Sequence, residues 1–449
     1  MFPKRLKISG WGNYPVSEAE VLTPRSDDDC KEALKEGKSI ARGLGRSYGD
    51  QALNDDKAVI LCTHLNHFIS WNENEGILEC EAGVSLEEII SVFAPRGWFP
   101  MICPGTKFIT IGGAIANDIH GKAHHIDGSF VNCVVSFSIL LADGRTLVAS
   151  RTENPDLFWG NFGGLGLLGI ILTVSIRLRK ITSTYFRQKS IAIKSLDHML
   201  ETLDQHDHEY NYSVAWIDAL AKGKKLGKGV ITFGNGASVD ELPSSLKTNP
   251  LKLHSKGKLT LPVYLPSIAL NSVTVRMLNM VIAFVQNSPK EFVHYEKFFF
   301  PLDAINHWNK GYGKRGFIQY QFVIPEENGK ENMREILTMI AESGCTPFLN
   351  VFKKMGDAQG ILSFPFKGYT LAIDFPMTKN LRTFTRRLDE KVLQSGGRIY
   401  LGKDALLEEK LFKEMYPQYL QWLSIKEKYD PLNKFSSNIS RRLGLDIRA

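Results

Sequence analysis

The 449-residue chain has few cysteines, and none of them is paired by spacing. Cys30, Cys62, Cys80, Cys103, Cys133 and Cys345 contain no C-x-x-C pair. That scatter points to neither a zinc site nor a disulfide framework. Long unbroken apolar runs are also missing. The most apolar stretch, 259–285, is interrupted by Pro262, Pro266, Asn271, Arg276 and Asn279, whereas a membrane-spanning helix wants about 20 apolar residues in a row. No apolar segment follows the basic residues Lys4, Arg5 and Lys7, so a secretory signal is not expected. No basic block with interleaved aromatics occurs, and nucleic acid is not an expected partner. A cytoplasmic or peripherally membrane-associated protein is the expectation. Internal repeats and low-complexity tracts are lacking as well.

The length exceeds one ordinary core, which implies two domains or one split domain carrying an insertion. The formal net charge of +7 suits an anionic substrate or a membrane surface, and a solvated surface equally well. Segment 259–285 reads in two ways: as a buried element of a substrate domain, or as a surface that touches lipid.

The first 180 residues read as strands with short helices between them. Ser26 ahead of Asp27, Asp28 and Asp29 caps a helix to about Glu36, stopped by Gly37. Strands are predicted over 38–42, 58–63, 76–81 and 170–178, a helix from Ser85 to near Gly97, and a hairpin of 130–141 with 145–150 around Asp143-Gly144. From about 182 the pattern becomes α+β, with helices over 195–206 and 331–343 and strands over 316–325 and 369–375. The last fifty residues read as helical, with a break at Asp430-Pro431.

Glycine-rich loops dominate the first region. Gly43-Leu44-Gly45-Arg46-Ser47 follows a strand, and successive amides there can form an anion-binding nest. No Gly-Lys-Ser/Thr follows this loop, which excludes an ATP P-loop. Pro104-Gly105-Thr106 and Thr110-Ile111-Gly112-Gly113 extend the pattern, and a helix starting near Gly112 would point its N-terminus at a pyrophosphate. Gly164-Leu165-Gly166-Leu167-Leu168-Gly169 matches G-x-G-x-x-G, but a helix precedes it, a β-like run follows it, and the nearest downstream acid is Asp197. This is not a Rossmann site. Together the loops imply a flat, anionic, dinucleotide-like ligand.

Asp118, His120, His124 and His125 lie between these loops, with Gly121 and Gly128 among them. The glycines argue for a loop rather than helical ligand spacing, so no metal is expected, and His120 reads as a hydrogen-bonding or structural group. Lys403 follows a strand-like 398–401 and precedes an acidic helix. Local pattern alone makes it a solvated lysine at a helix start.

Taken together, the segments Ser9-Gly10-Trp11-Gly12, 41–50, Asp118-Ile119-His120-Gly121-Lys122, 319–325, 348–353, Ile373-Asp374-Phe375-Pro376 and Lys403-Asp404 resemble the vanillyl-alcohol-oxidase superfamily. Within it the resemblance is to the decaprenylphosphoryl-ribose 2′-oxidases, the flavin subunits of ribose-to-arabinose epimerases. It implies an α+β, two-lobed fold. A PCMH-type FAD-binding domain (1–183) would be rejoined by a C-terminal segment (396–449), with a substrate-binding cap (184–395) inserted.

The resemblance places the FAD pyrophosphate against 43–50 and 110–113, within a cofactor-binding set that includes Arg42, Gly43, Leu44, Gly45, Arg46, Ser47, Tyr48 and Gly49. It adds Gly105, Thr106, Thr110, Ile111, Gly112 and Gly113. Adenine would sit near Gly169 and Ile171, and Asp118, His120 and Tyr400 would stand on the flavin side of the cleft. The substrate pocket would draw on Tyr48, His120, Tyr312, Gln319, Gln321, Lys353 and Lys403. Lys403 would take the proton of a sugar hydroxyl with His120 as the rival base, Tyr48 and the two glutamines would orient the sugar, and Lys353 would meet a phosphate.

Two departures from the family pattern stand out. Arg46 occupies the place where many relatives carry a flavin-linking histidine, which implies dissociable FAD. Ala372 and Thr370 replace a pocket cysteine and asparagine of the close family, so cysteine-directed inhibitors should not trap this chain. The implied reaction is oxidation of the 2′-hydroxyl of a polyprenylphosphoryl ribose, feeding arabinan and cell-wall synthesis. A lipid-linked sugar phosphate and an NADH-dependent short-chain reductase are the implied partners, with peripheral membrane contact through 259–285. The alternatives are an FAD oxidoreductase acting on a soluble sugar, alditol or aldonolactone, a zinc hydrolase, and a carbohydrate-binding protein.

Overall fold

The computed structural model describes residues 3–253, 259–266, 271–286, 290–357 and 359–447, without the side chains of 272 and 283–286. Three sheets carry the fold. The first holds β1 (Lys4–Ser9), β2 (Val16–Leu22), β3 (Ser39–Arg42) and β4 (Ala58–Leu61) in the order β1-β2-β4-β3. The second holds β5 (Phe68–Asn72), β6 (Ile77–Glu81), β7 (Trp98–Pro100), β8 (Val134–Leu140), β9 (Thr146–Ser150) and β10 (Ile170–Lys180). β10 is its centre, antiparallel to β6, β7 and β8.

The third sheet has eight strands. They are β11 (Tyr185–Ile193), β12 (Tyr212–Ile217), β13 (Gly229–Gly236), β15 (Phe292–His294), β17 (Phe317–Pro325), β18 (Asn350–Met355), β19 (Gly368–Pro376) and β20 (Arg398–Ile399), in the order β15-β11-β13-β12-β18-β19-β17-β20. A parallel pair, β14 (Leu259–Thr260) with β16 (Ile305–Asn306), stands apart. The switch from the second sheet to the third falls between Lys180 and Tyr185.

Local chemistry sets the helix starts. Ser26 accepts from the Asp29 amide at the head of Asp27–Ala33, and Ser85 and Glu88 close a capping box at the head of Leu86–Phe93. The hairpin strand begins later than its sequence predicts. Phe130–Asn132 is a 3-10 turn, because Phe130 N–H donates to the Ile119 carbonyl and Val131 N–H to the Asp118 carboxylate.

The C-terminal helices return to the first two sheets. Fully buried Lys426 donates to Asp430 and to the carbonyls of Leu167 and Phe435. The Asp430 carboxylate in turn accepts from the amides of Lys434 and Phe435. Trp422 Nε1 donates to the Gly160 carbonyl at 2.8 Å. One large apolar core runs through the sheets and these helices, from Ile40 and Val59 through Phe137 and Phe158 to Phe352 and Trp422.

Candidate active site

The three sheets enclose one cavity that runs from the glycine loops to the face of β17, β18 and β19. Its outer part is backbone. The amides of 44–49 donate to no acceptor among the described residues. Gly45 has φ +65°, the left-handed conformation that turns successive N–H groups toward one point. A side chain at Gly43 would put a Cβ 2.2 Å from Thr110 Oγ1, and one at Gly49 would meet the Asp404 carbonyl at 1.6 Å. The loop is therefore packed on its outer side and bare toward the cavity, the shape that a dinucleotide pyrophosphate needs.

The helix Ile111–Ala116 does not fulfil its predicted role. Ile111 N–H donates to the Val84 carbonyl, Gly112 N–H to the Ala82 carbonyl, and Gly113 N–H to Thr110 Oγ1. No amide of its first turn is left for an anion. Thr110, Gly112 and Gly113 still line the cavity, as do Gly105, Thr106, Gly169 and Ile171, whereas Ile111 faces the core.

Arg46 stacks its guanidinium 3.9 Å from the Trp11 ring and also reaches Phe108. Arg42 spends its guanidinium on the carbonyls of Ser9 and Ala52, which fixes the chain entering the loop. Asp303, which the sequence reading missed, lines the cavity and accepts from Thr106 Oγ1 and Lys107 N–H.

The inner wall is a sheet face. Antiparallel partners project side chains to the same side, so the pairs Gln319–Asp374, Gln321–Ala372, Val351–Ala372 and Lys353–Thr370 put these residues on one surface. Asp374 accepts from Gln319 Nε2 at 2.6 Å and from the Tyr312 hydroxyl at 3.0 Å. Tyr312 is thus one layer behind the wall and acts through Asp374 rather than on the cavity. An acid inside the otherwise apolar run 371–376 was the signal that could have marked Asp374 from sequence.

Lys403 sits in the turn after β20, its N–H on the Tyr400 carbonyl. Its Nζ lies 5.7 Å from the Tyr48 ring centre and 6.0 Å from that of Tyr400. Tyr400 donates to the Asn117 carbonyl at 2.9 Å and packs 5.1 Å from the His120 ring. Gln321 lies 3.0 Å from His120 Nε2. Asp118 lies behind the wall, held by Ser129, Ser363 and the Val131 amide. His124 accepts from Gly356 N–H, and His125 turns to the Tyr210 carbonyl, so the three histidines do not converge.

Burial governs the electrostatics. It pushes Lys403 down to about 7, helped by the charge of Lys353 and opposed by Asp374. Lys353 falls to about 8 by burial. His120 drops well below the usual imidazole range, through burial and then the charges of Lys353, His124 and Lys403. Asp374 rises through burial, against its bonds from Gln319 and Tyr312. The wall can therefore offer a neutral amine and a neutral imidazole near neutral pH.

A family profile described as an FAD binding domain matches residues 19–150, and one described as D-arabinono-1,4-lactone oxidase matches 291–443. The chain is 39% identical to decaprenylphosphoryl-β-D-ribose oxidase of Mycolicibacterium smegmatis over an alignment that covers 99% of each protein. The chain belongs to this oxidase family. It is an FAD-dependent oxidoreductase with a PCMH-type α+β fold. Bovine L-gulonolactone oxidase aligns over 96% of the chain and 97% of its own length at 23% identity. A carbohydrate oxidase of Microdochium nivale is 32% identical over 30% of the chain and 28% of its own. Among the described residues no helix is long and apolar enough to cross a membrane.

Proposed function

We propose that the protein oxidises the 2′-hydroxyl of a polyprenylphosphoryl-β-D-ribose to the 2′-keto sugar. The observation that carries the proposal is Lys403, half-buried and held low in basicity, facing a polar sheet wall across a cavity that continues into the glycine loop. The loop 43–49, with Gly105, Thr106, Gly169 and Ile171 further along, would hold FAD, bound without a covalent link because Arg46 fills the attachment position. Bound FAD supplies the acceptor for the hydride that leaves the carbinol carbon.

The chain's own residues supply the rest. Lys403 takes the hydroxyl proton, Tyr48 and Gln319 orient the sugar, and Lys353 places a positive charge for the phosphate. A separate NADH-dependent reductase would return hydride to the opposite face and complete an epimerisation.

The lipid part of this substrate class has a surface to meet. The helix Ser272–Gln286 buries Val275 and Asn279, and Asn279 bonds Asp218. On its other side Val273, Met277, Met280 and Val281 are all more than half exposed at helical spacing. Leu259, Val263 and Tyr264 are exposed nearby in sequence, beside β16, which lies between the cavity residues Asp303 and Trp308. This apolar surface supports peripheral contact with a bilayer. Residues 267–270 of the segment predicted to touch lipid lie outside the described residues.

Two experiments test the proposal. Substrate deuterated at C2′ should lose its label as the ketone appears in the product mass spectrum. A ketone formed with the label retained would refute the assigned carbon. In vesicle flotation, Met277→Glu combined with Met280→Glu should abolish association, and unchanged flotation would remove the membrane contact. A second reading, oxidation of a soluble aldonolactone, draws on the lactone-oxidase match over 291–443 and on Ala372 in the wall. Turnover of free lactones without lipid-linked sugar would favour it.

A further inference from the structure

Thr370 carries a single hydroxyl proton and gives it to the Phe322 carbonyl, 2.7 Å away. Its oxygen can then only accept from Gln321, which lies 3.1 Å away. The Gln321 atom facing Thr370 is therefore the amide nitrogen, and the flipped amide is excluded. That same nitrogen lies 3.0 Å from His120 Nε2. An amide NH2 facing a ring nitrogen at this distance requires a lone pair there, so Nε2 is unprotonated.

The imidazole is neutral, because it is buried and surrounded by Lys353, Lys403 and His124, with the Tyr400 and Phe364 rings against it. Its one proton is then on Nδ1. His120 Nδ1 and Gln321 Oε1 are both buried without a hydrogen-bond partner among the described residues, and both residues line the cavity. Because the two ring nitrogens point in divergent directions, no single hydroxyl meets both groups: Nδ1–H is left as a lone donor and the Gln321 oxygen as a separate acceptor.

We propose that Thr370 is a positioning residue that locks His120 as the Nδ1–H tautomer. With Nε2 accepting from Gln321 and Nδ1 already protonated, neither ring nitrogen is free to take a substrate proton; Nδ1–H can only donate, and proton removal is left to Lys403. This rests on the sugar-oxidation reading above. In the step, the hydroxyl proton passes to Lys403 Nζ, the carbinol C–H bond breaks with its electron pair going to FAD, and the C=O bond forms. His120 neither gains nor loses a proton.

The test has two arms. The first is 15N NMR of histidine-labelled, FAD-loaded protein without substrate. His120 should show a protonated Nδ1 and a bare Nε2 in wild type and Thr370→Ser, and a tautomer mixture in Thr370→Val. A protonated Nε2 in wild type would overturn the proposal, whatever the substrate proves to be. The second arm compares two replacements, since an Asn amide reaches the Nδ1 position and a Gln amide the Nε2 position. His120→Asn should keep flavin reduction within about tenfold of wild type, and His120→Gln should lose about a hundredfold or more. Equal loss, or a better His120→Gln, would also overturn it. Thr370→Val should raise the Kd for the sugar about tenfold, with Thr370→Ser near wild type. Should Thr370→Val not fold, the wild-type spectrum and the His120 pair still decide. Failure of the sugar to reduce the flavin would refute the functional reading without touching the tautomer.

Discussion

In the proposed reaction Lys403 would work as a free amine. A solvated lysine titrates near pH 10.4, whereas here burial and Lys353 bring it down to about 7. The base form grows as pH rises, so flavin reduction should climb through about pH 7 and level off above it. Stopped-flow rates of Lys403→Met should be about 10²- to 10⁴-fold lower and lack this limb. A limb that survives the substitution would assign the base elsewhere. Because the Lys353 charge lowers Lys403, Lys353→Met should move the limb to higher pH.

Arg46 makes a separate claim. Its guanidinium is stacked on Trp11, and if it stands where the resemblance puts the flavin-linking histidine of other members, acid precipitation should leave FAD in the supernatant. Yellow colour retained on the pellet would contradict this.

The loop 43–49 depends on backbone contact that no side chain can share. A Cβ at Gly49 would lie 1.6 Å from the Asp404 carbonyl. Asp404 cannot retreat, since its carboxylate holds the Leu406 and Leu407 amides and Arg442. Gly49→Ala should therefore give protein with little bound flavin and a lowered Tm. The C-terminal helix Tyr419–Tyr429 is pinned by Lys426 to Asp430, both without solvent exposure. Lys426→Met leaves a buried carboxylate without its cation and should cost about 3–5 kcal/mol in chemical denaturation.

Gly49 meets Asp404, and Lys426 reaches the Leu167 carbonyl, across most of the chain, which is why the sequence did not reveal these contacts; Lys426 and Asp430 themselves are one helical turn apart. Helix starts at Ser26 and Ser85 were legible because a cap is made within three residues. The start of Ile111–Ala116 was legible as a helix but misleading as an anion site. Its amides are consumed by Ala82 and Val84, which nothing in the local pattern announces.

The molecule joins a backbone cradle from its first part to a side-chain wall from its middle. Glycine spacing pointed to the cradle loop 43–49 as a candidate anion nest, and only the resemblance made that reading specific. The wall was not legible from spacing, because Gln321 meets His120 across 201 residues and Asp374 is held by Tyr312 from a 3-10 turn 62 residues away. Only the register of β17, β18 and β19 brings these polar residues to one face, and resemblance, not periodicity, singled out Lys353 and Lys403 beforehand. The union of cradle and wall is what makes FAD-dependent oxidation of a lipid-linked sugar the reading that fits both halves. It is open to an anaerobic titration of the purified yellow protein with a short-chain prenylphosphoryl ribose, followed by the visible flavin band. The band should bleach stoichiometrically with this sugar and persist with free ribose, alditols and lactones. Protein that is colourless and takes up no FAD, or a band that persists with the lipid-linked sugar and bleaches with a free one, would contradict it.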